Sequence, residues 1–168
     1  HLSDLHASWV VTWSMIERAV ALTVAQKPEV IFLTGDYLTR RLSEEDFKTY
    51  SQVLAPLAAT APTFACFGNH DGGRWCERIG GFPDTGEIGD VLKSAGITPL
   101  KNEYRRVSIS GTELDLIGVG DWYAGQCRPE QAWPELETTQ KEHGTRPIIV
   151  LAHCPDSRDY VDDLPWDL

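Results

Sequence analysis

The 168-residue sequence is short of several things, and each shortage narrows what the chain can be. No stretch approaches the roughly 18 apolar residues that a membrane-spanning helix needs. No internal repeat or low-complexity tract is present, which excludes solenoids and collagen-like chains. With 42% hydrophobic and 24% charged residues, the composition fits one globular domain with a sizeable core rather than a disordered chain. Positive charge is in deficit: 15 Lys and Arg stand against 25 Asp and Glu, a formal net charge of -10. That balance disfavours a broad groove for a nucleic-acid backbone, although bound cations can make a local positive spot on an acidic protein. None of the four cysteines, Cys66, Cys76, Cys127 and Cys154, stands in C-x-x-C spacing. Free thiols are therefore expected before a disulfide pair or a zinc knuckle.

What is present is a series of short apolar runs, each ending in the same kind of residue. Residues 30–34 and 148–152 read as strands buried on both faces, 63–67 as another, and His1-Leu2 as the end of a first. Ile16, Val20 and Val24 recur at helical spacing and predict a helix over 13–26, closed by Lys27-Pro28. Ser43-Glu44-Glu45-Asp46 resembles a capping box and starts a second helix running to about Leu54. Residues 72–89 are rich in glycine and proline and read as a loop. A short helix over 90–95 ends at Gly96, and 104–110 with 113–119 form a hairpin turning at Ser110-Gly111. Residues 129–143 are helical in composition but interrupted by Pro134. Strands alternating with helices, then a hairpin, predict an α/β sandwich of two mixed sheets flanked by helices.

Histidine is scarce, five in all, and three of the five close apolar runs beside a carboxylate or an amide. Asp4 and His6 follow the first run, Gly35-Asp36 the second, Gly68-Asn69-His70-Asp71 the third, and His153 the fourth. A single histidine after a strand is usually structural, and a single Asp after Gly usually belongs to a turn or cap. Repetition at the strand ends, where open α/β sheets place their chemistry, turns these residues into a candidate metal site.

These four motifs, in order and spanning nearly the whole chain, resemble those of the calcineurin-like metallophosphoesterases, a dinuclear hydrolase superfamily. The resemblance implies that Asp4 and His6 hold one metal, Asp36 bridges both, and Asn69 and His153 hold the second. It implies that His70 is not a ligand but assists the leaving oxygen, with Asp71 orienting its ring. Two divalent cations, manganese, iron, zinc or cobalt, against the carboxylates Asp4 and Asp36 leave the site electron-poor. Such a pair acidifies a bridging water and attracts a phosphate, so a metal-bridging hydroxide is the implied nucleophile. An imidazole beside a carboxylate is a suitable proton donor near neutral pH.

The family normally carries a further Gly-His-x-His motif, and none follows His153. The expectation is a domain, residues 1–168, incomplete at both ends, with residues 164–168 entering the strand before that motif. A membrane anchor in a preceding segment stays open, as do location and oligomeric state. Gly118-Val119-Gly120-Asp121-Trp122, together with His153-Cys154-Pro155-Asp156, resembles the bacterial phosphodiesterase-like group, which includes hydrolases of lipid-linked phosphates. The implied substrate is a phosphorylated small molecule or a lipid-linked phosphoester. An inactive binding or scaffold protein on the same fold is the rival. Arg40 and Arg74 follow metal motifs and are candidates to grip phosphate, against solvated arginines as the plainer reading. Trp9, Trp75 and Trp122 lie just beyond motifs, where they either wall a substrate pocket or simply pack.

Overall fold

The computed structural model describes residues 1–39, 41, 43–162 and 166–168. Helix α1, Trp13–Ala25, forms where the apolar spacing predicts it and buries Ile16 and Val20. Strand β1, Ile31–Thr34, follows. Helix α2, Glu44–Thr60, opens with the expected box: the Ser43 side chain accepts from the Asp46 N–H at 3.2 Å while the Asp46 carboxylate accepts from the Ser43 N–H at 3.4 Å. Such a cap contributes about 1 kcal/mol. The helix runs past Leu54 because Pro56 lies inside it on the exposed side, where the carbonyl that its missing N–H leaves unpaired can be solvated.

Strand β2, Thr63–Cys66, is buried along its whole length. The segment read as a loop contains helix α3, Arg74–Arg78, and the start of helix α4, Gly86–Ser94. The α4 end is closed by Gly96 at φ +80°, as the sequence implies. Strand β3, Thr98–Pro99, is too short to show a pattern. Strands β4, Glu103–Ile109, and β5, Thr112–Gly118, turn at Ser110 (φ 50°) and Gly111 (φ 84°), both left-handed as a two-residue hairpin requires. Helix α5, Trp133–His143, takes Pro134 into its first turn, where no N–H is missed, so that proline starts the helix instead of interrupting it. Strand β6, Ile148–Leu151, and helix α6, Arg158–Val161, follow.

The strands make two three-stranded sheets, β1-β2-β3 and β4-β5-β6. Direction is mixed only in the second, where β4 and β5 are antiparallel and β5 and β6 parallel; the first is parallel throughout its named strands. Leu2 bridges Leu33 in parallel on the free side of β1, so the chain's first residues do extend that sheet. Phe64, Cys66 and Leu100 meet Ile109, Leu116 and Leu151 between the sheets. The outer face of the first sheet buries Ile16, Val20, Tyr50, Leu54 and Leu57 from α1 and α2, and the second covers Ile117 and Ile148 with Leu136 of α5. This is the expected α/β sandwich, and it leaves the carboxyl ends of β1, β2 and β6 on one side. Residues 166–168 lie along β6, with the Val150 N–H donating to the Leu168 carbonyl at 2.8 Å. Leu164 and Pro165, read as part of a strand entry, lie outside the described residues, as does Arg40. No described helix is long and apolar enough to cross a membrane.

Candidate metal centre

The first seven residues run beside the segment leaving β1: Asp4, His6 and Ala7 donate their N–H groups to the carbonyls of Gly35, Asp36 and Tyr37 at 3.1, 2.9 and 2.9 Å. This pairing brings Asp4 and His6 to Asp36. All three take left-handed backbone, with φ of 56°, 45° and 56°. Non-glycine residues pay for that conformation, and its concentration on three candidate ligands marks a place where geometry outranks local preference. Gly35, at φ +89°, and Gly68 stand back to back: a Cβ on Gly35 would strike the Gly68 backbone, and one on Gly68 would strike the Asp36 carboxylate. Both positions require glycine for the loops to close to this distance.

Asp36 is 3% exposed and stands at the centre. Its Oδ2 is 3.4 Å from His6 Nε2 and 3.5 Å from His153 Nε2, and its Oδ1 accepts the His70 N–H at 2.9 Å. Asp4 Oδ1 is 3.6 Å from His6 Nε2. These side-chain separations are long for hydrogen bonds but suit donors that each stand about 2.1 Å from a shared cation. His153 Nδ1 lies 2.7 Å from the Thr34 carbonyl, which can only accept, so the proton sits on Nδ1 and the Nε2 lone pair faces Asp36. His6 Nδ1 is fixed in turn by Thr39 Oγ1 at 3.2 Å.

Two donor sets gather within 4.8 Å, His6 with Asp36 and His70, and Asp4 with Asp36 and His153; Asp36 belongs to both. Asp4 also stands beside His6, as expected, at 3.6 Å, and the first set adds His70, which was expected to stand apart from the ligands. Asn69, half-buried, lies in the same turn, held between the Gly68 and His70 N–H groups that bond Asp71 and Asp36. The His70 ring meets His6 edge-on at 4.9 Å and Trp75 at 4.5 Å. Its Nδ1 is buried and has no partner among the described residues. Burial holds the His70 imidazole below its usual pKa; the Asp36 charge opposes this, and His6 and His153 add to it.

Asp71 departs from its expected part. Its carboxylate does not hold the His70 ring; it accepts the N–H groups of Asp36 and Gly68 through Oδ2 and of Tyr37 through Oδ1, each at 2.8 Å. A fully buried carboxylate with three backbone donors is a pin between the β1 and β2 loops. Burial nevertheless pushes its carboxyl up to about 7, against the pull of those donors.

Sequence reasoning missed the buried Tyr37, whose hydroxyl donates to the Cys66 carbonyl at 2.7 Å, and Tyr50, whose hydroxyl donates to the Tyr37 carbonyl at 3.0 Å. The available signal was a phenol directly after Gly35-Asp36, polar in an otherwise apolar stretch. Asp121 caps a loop: Oδ1 accepts the Ala124 N–H at 2.7 Å, while Oδ2 is buried without a partner among the described residues. Arg74 is exposed and in no ion pair among the described residues. Cys66, Cys76, Cys127 and Cys154 are free and buried.

Comparison with known proteins places the chain in a family. The profile of the calcineurin-like phosphoesterase family matches residues 1–167. The chain is 44% identical over 167 residues to phosphodiesterase YaeI of Escherichia coli, covering 99% of this chain and 56% of that protein. It is 24% identical over 204 residues to the UDP-2,3-diacylglucosamine pyrophosphatase LpxG of Chlamydia muridarum, covering 99% of this chain and 60% of the other. The chain thus spans little more than half the length of these relatives. Among solved structures, a 5′-nucleotidase precursor from Thermus thermophilus shares the fold, with a TM-score of 0.55 and 16% identity over 82% of this chain and 31% of its own. By its motifs, its fold and its match over nearly every residue, the chain belongs to the calcineurin-like phosphoesterase family.

Proposed function

We propose that this chain is the metal-binding part of a phosphoester hydrolase, with phosphodiesters, including lipid-linked ones, as the first substrate class to test. The single observation that supports this best is the buried Asp36 carboxylate, shared between two donor sets and facing the Nε2 atoms of both His6 and His153. The donor set fits divalent cations: carboxylates and imidazoles at ligand spacing, with His153 already in the tautomer that leaves Nε2 free. In our reading Asp4, His6, Asp36, Asn69 and His153 hold two such ions within one domain. When bound, such ions would acidify a water to serve as nucleophile and would neutralise charge on the phosphate.

The chain's own residues do the rest. Asp71 fixes the two loops at a distance set by Gly35 and Gly68. The Thr34 carbonyl and Thr39 hydroxyl orient the ligand imidazoles. His70, lodged between His6 and Trp75, carries the proton for the departing alcohol. The kinship with a protein named as a phosphodiesterase supports this class, and the LpxG kinship supports the lipid-linked extension.

The test is metal reconstitution of the full-length protein with manganese, followed by a phosphodiester hydrolysis assay. Hydrolysis that appears with metal and vanishes on chelation is expected. Asp36→Asn should empty both sites; two ions retained per chain would refute the bridge.

A further inference from the structure

The connection between β5 and helix α5 carries a feature that metal binding does not use. Residues 120–127 form a loop held by side chains on both sides. Asn102, buried, accepts the N–H groups of Gly120 and Arg128 through Oδ1, each at 2.9 Å, and donates from Nδ2 to the Gln126 carbonyl at 2.9 Å. Asp121 accepts the Ala124 N–H, its own carbonyl takes the Gln126 N–H at 2.9 Å, and the Trp122 carbonyl takes the Gly125 N–H at 2.9 Å. A Cβ on Gly120 would strike the Gln126 carbonyl. The loop is therefore rigid in its backbone.

A loop so braced nonetheless turns two large aromatic rings to solvent, Trp122 at 36% and Tyr123 at 57% exposure. The rings meet edge to face at 4.9 Å, and the Trp122 indole N–H donates to the Tyr160 hydroxyl at 3.0 Å. Tyr160 lies on α6, a few residues beyond His153, so the cluster joins the chain leaving β5 to the chain leaving β6. These are neighbouring strand ends: Gly118 is opposite Leu151, and the Val119 N–H donates to the Leu151 carbonyl at 3.0 Å. Asp121, at the root of the loop, is near enough to His153 and Asp36 to feel their charge. Exposed aromatics on a stiff loop beside a reactive centre are pre-organised for contact, since little entropy remains to be lost on binding.

We infer that Trp122, steadied by Tyr123 and Tyr160, is a specificity-determining residue that takes a planar ring, an aryl group or a nucleobase, on the retained organic group of the phosphoester, the one that does not leave. This rests on the hydrolase reading above and names which esters that site prefers. Aromatic faces accept rings of either kind by stacking, and removing one such face lowers ring binding by about tenfold.

The experiment uses the full-length, metal-loaded protein and three diesters with the same para-nitrophenyl leaving group but different retained groups: methyl, phenyl, and the thymidine of thymidine monophosphate. Esters whose retained group is a ring should exceed the methyl ester in kcat/KM by about tenfold, the shared para-nitrophenyl ring cancelling from the comparison. Trp122→Ala should abolish that ratio, chiefly through KM for the esters with a ring on the retained group, with metal content unchanged, and Trp122→Phe should keep most of it. Tyr160→Phe, which removes the acceptor for the indole N–H, should lower the ratio partway. A thymidine ester favoured over the phenyl ester identifies a nucleobase, and the reverse an aryl group. Equal rates for methyl and ring esters, or a ratio that survives Trp122→Ala, would overturn the inference and leave the hydrolase reading standing. If none of the three diesters is cleaved, the hydrolase reading falls and takes this one with it.

Discussion

His70 has the most divided loyalties of any residue in the centre. Its backbone N–H serves Asp36, its ring leans on Trp75, its Nδ1 is buried without a partner among the described residues, and it stands within ligand distance of His6 and Asp36. The proton-carrier role predicts that His70→Ala lowers kcat by about 10²- to 10⁴-fold while metal content stays near that of the parent. Metal analysis beside single-turnover kinetics checks this, and parallel loss of metal would move His70 into the ligand set. Asp71 gives a second test, in the metal-free protein. Its carboxyl ordinarily titrates at 3.8 but is raised to about 7 in the fold. Between those values the folded chain keeps a proton that the unfolded chain has released. The stability it contributes is thus complete below 3.8 and is lost as pH rises to about 7. Urea midpoints taken without metal should fall across that window. Asp71→Asn should flatten the slope while lowering the midpoint everywhere, because its amide turns an N–H toward a backbone donor; an unchanged slope would assign the pH dependence to another group.

At the scale of elements, β1, β2, β6, α1 and the β4–β5 hairpin were legible because each carries its own pattern: a continuous apolar run, a helical repeat, or a Ser110-Gly111 turn. The strand-end motifs that gather at the candidate centre were legible for the same reason, since each terminates such a run. Strand β3 has two residues and owes its pairing to Phe64 and Ala65 in a neighbour, which no local pattern can show. Helix α3 hid among glycines whose left-handed backbone frames it, and Pro56 and Pro134 misled because what matters is whether a proline faces water or a first turn. The role of Asp71 was illegible because adjacency in sequence says nothing about two N–H groups arriving from the β1 loop to join that of Gly68 in its own. The glycines allow a test at this scale. Gly111 has left-handed backbone with open space around it, so Gly111→Ala should cost about 1 to 2 kcal/mol of stability and leave metal binding alone. Gly35→Ala pays the same conformational cost and also collides with Gly68, so the two loops must part. Its melting point should fall further, and its metal affinity should drop with it. Equal effects of the two substitutions would show that the close approach is not what shapes the centre.

For the molecule as a whole, the centre is where two sheets are joined by something other than apolar packing. Asp36 and Asn69 come from the ends of β1 and β2, Asp4 and His6 from the segment beside β1, and only His153 comes from the second sheet. Without cations, what joins His153 to the first sheet's side is the Thr34 carbonyl bond, while Asp4 and Asp36 bring like charge together in a protein already at -10. Cations held jointly by both sheets would remove that repulsion and clamp the sheets together. Binding to the folded state alone at a hundredfold excess over Kd stabilises by about 2.7 kcal/mol. Chelation should therefore lower the melting temperature, and faster amide exchange should appear first at the ends of β1 and β6. His153→Ala tests the clamp against simple charge relief. If the clamp is right, residual metal on the first sheet's donors recovers little of the lost stability, and exchange at β6 stays fast with metal present. If relief of repulsion is all that metal provides, the variant regains most of its stability on adding manganese and β6 is protected as in the parent.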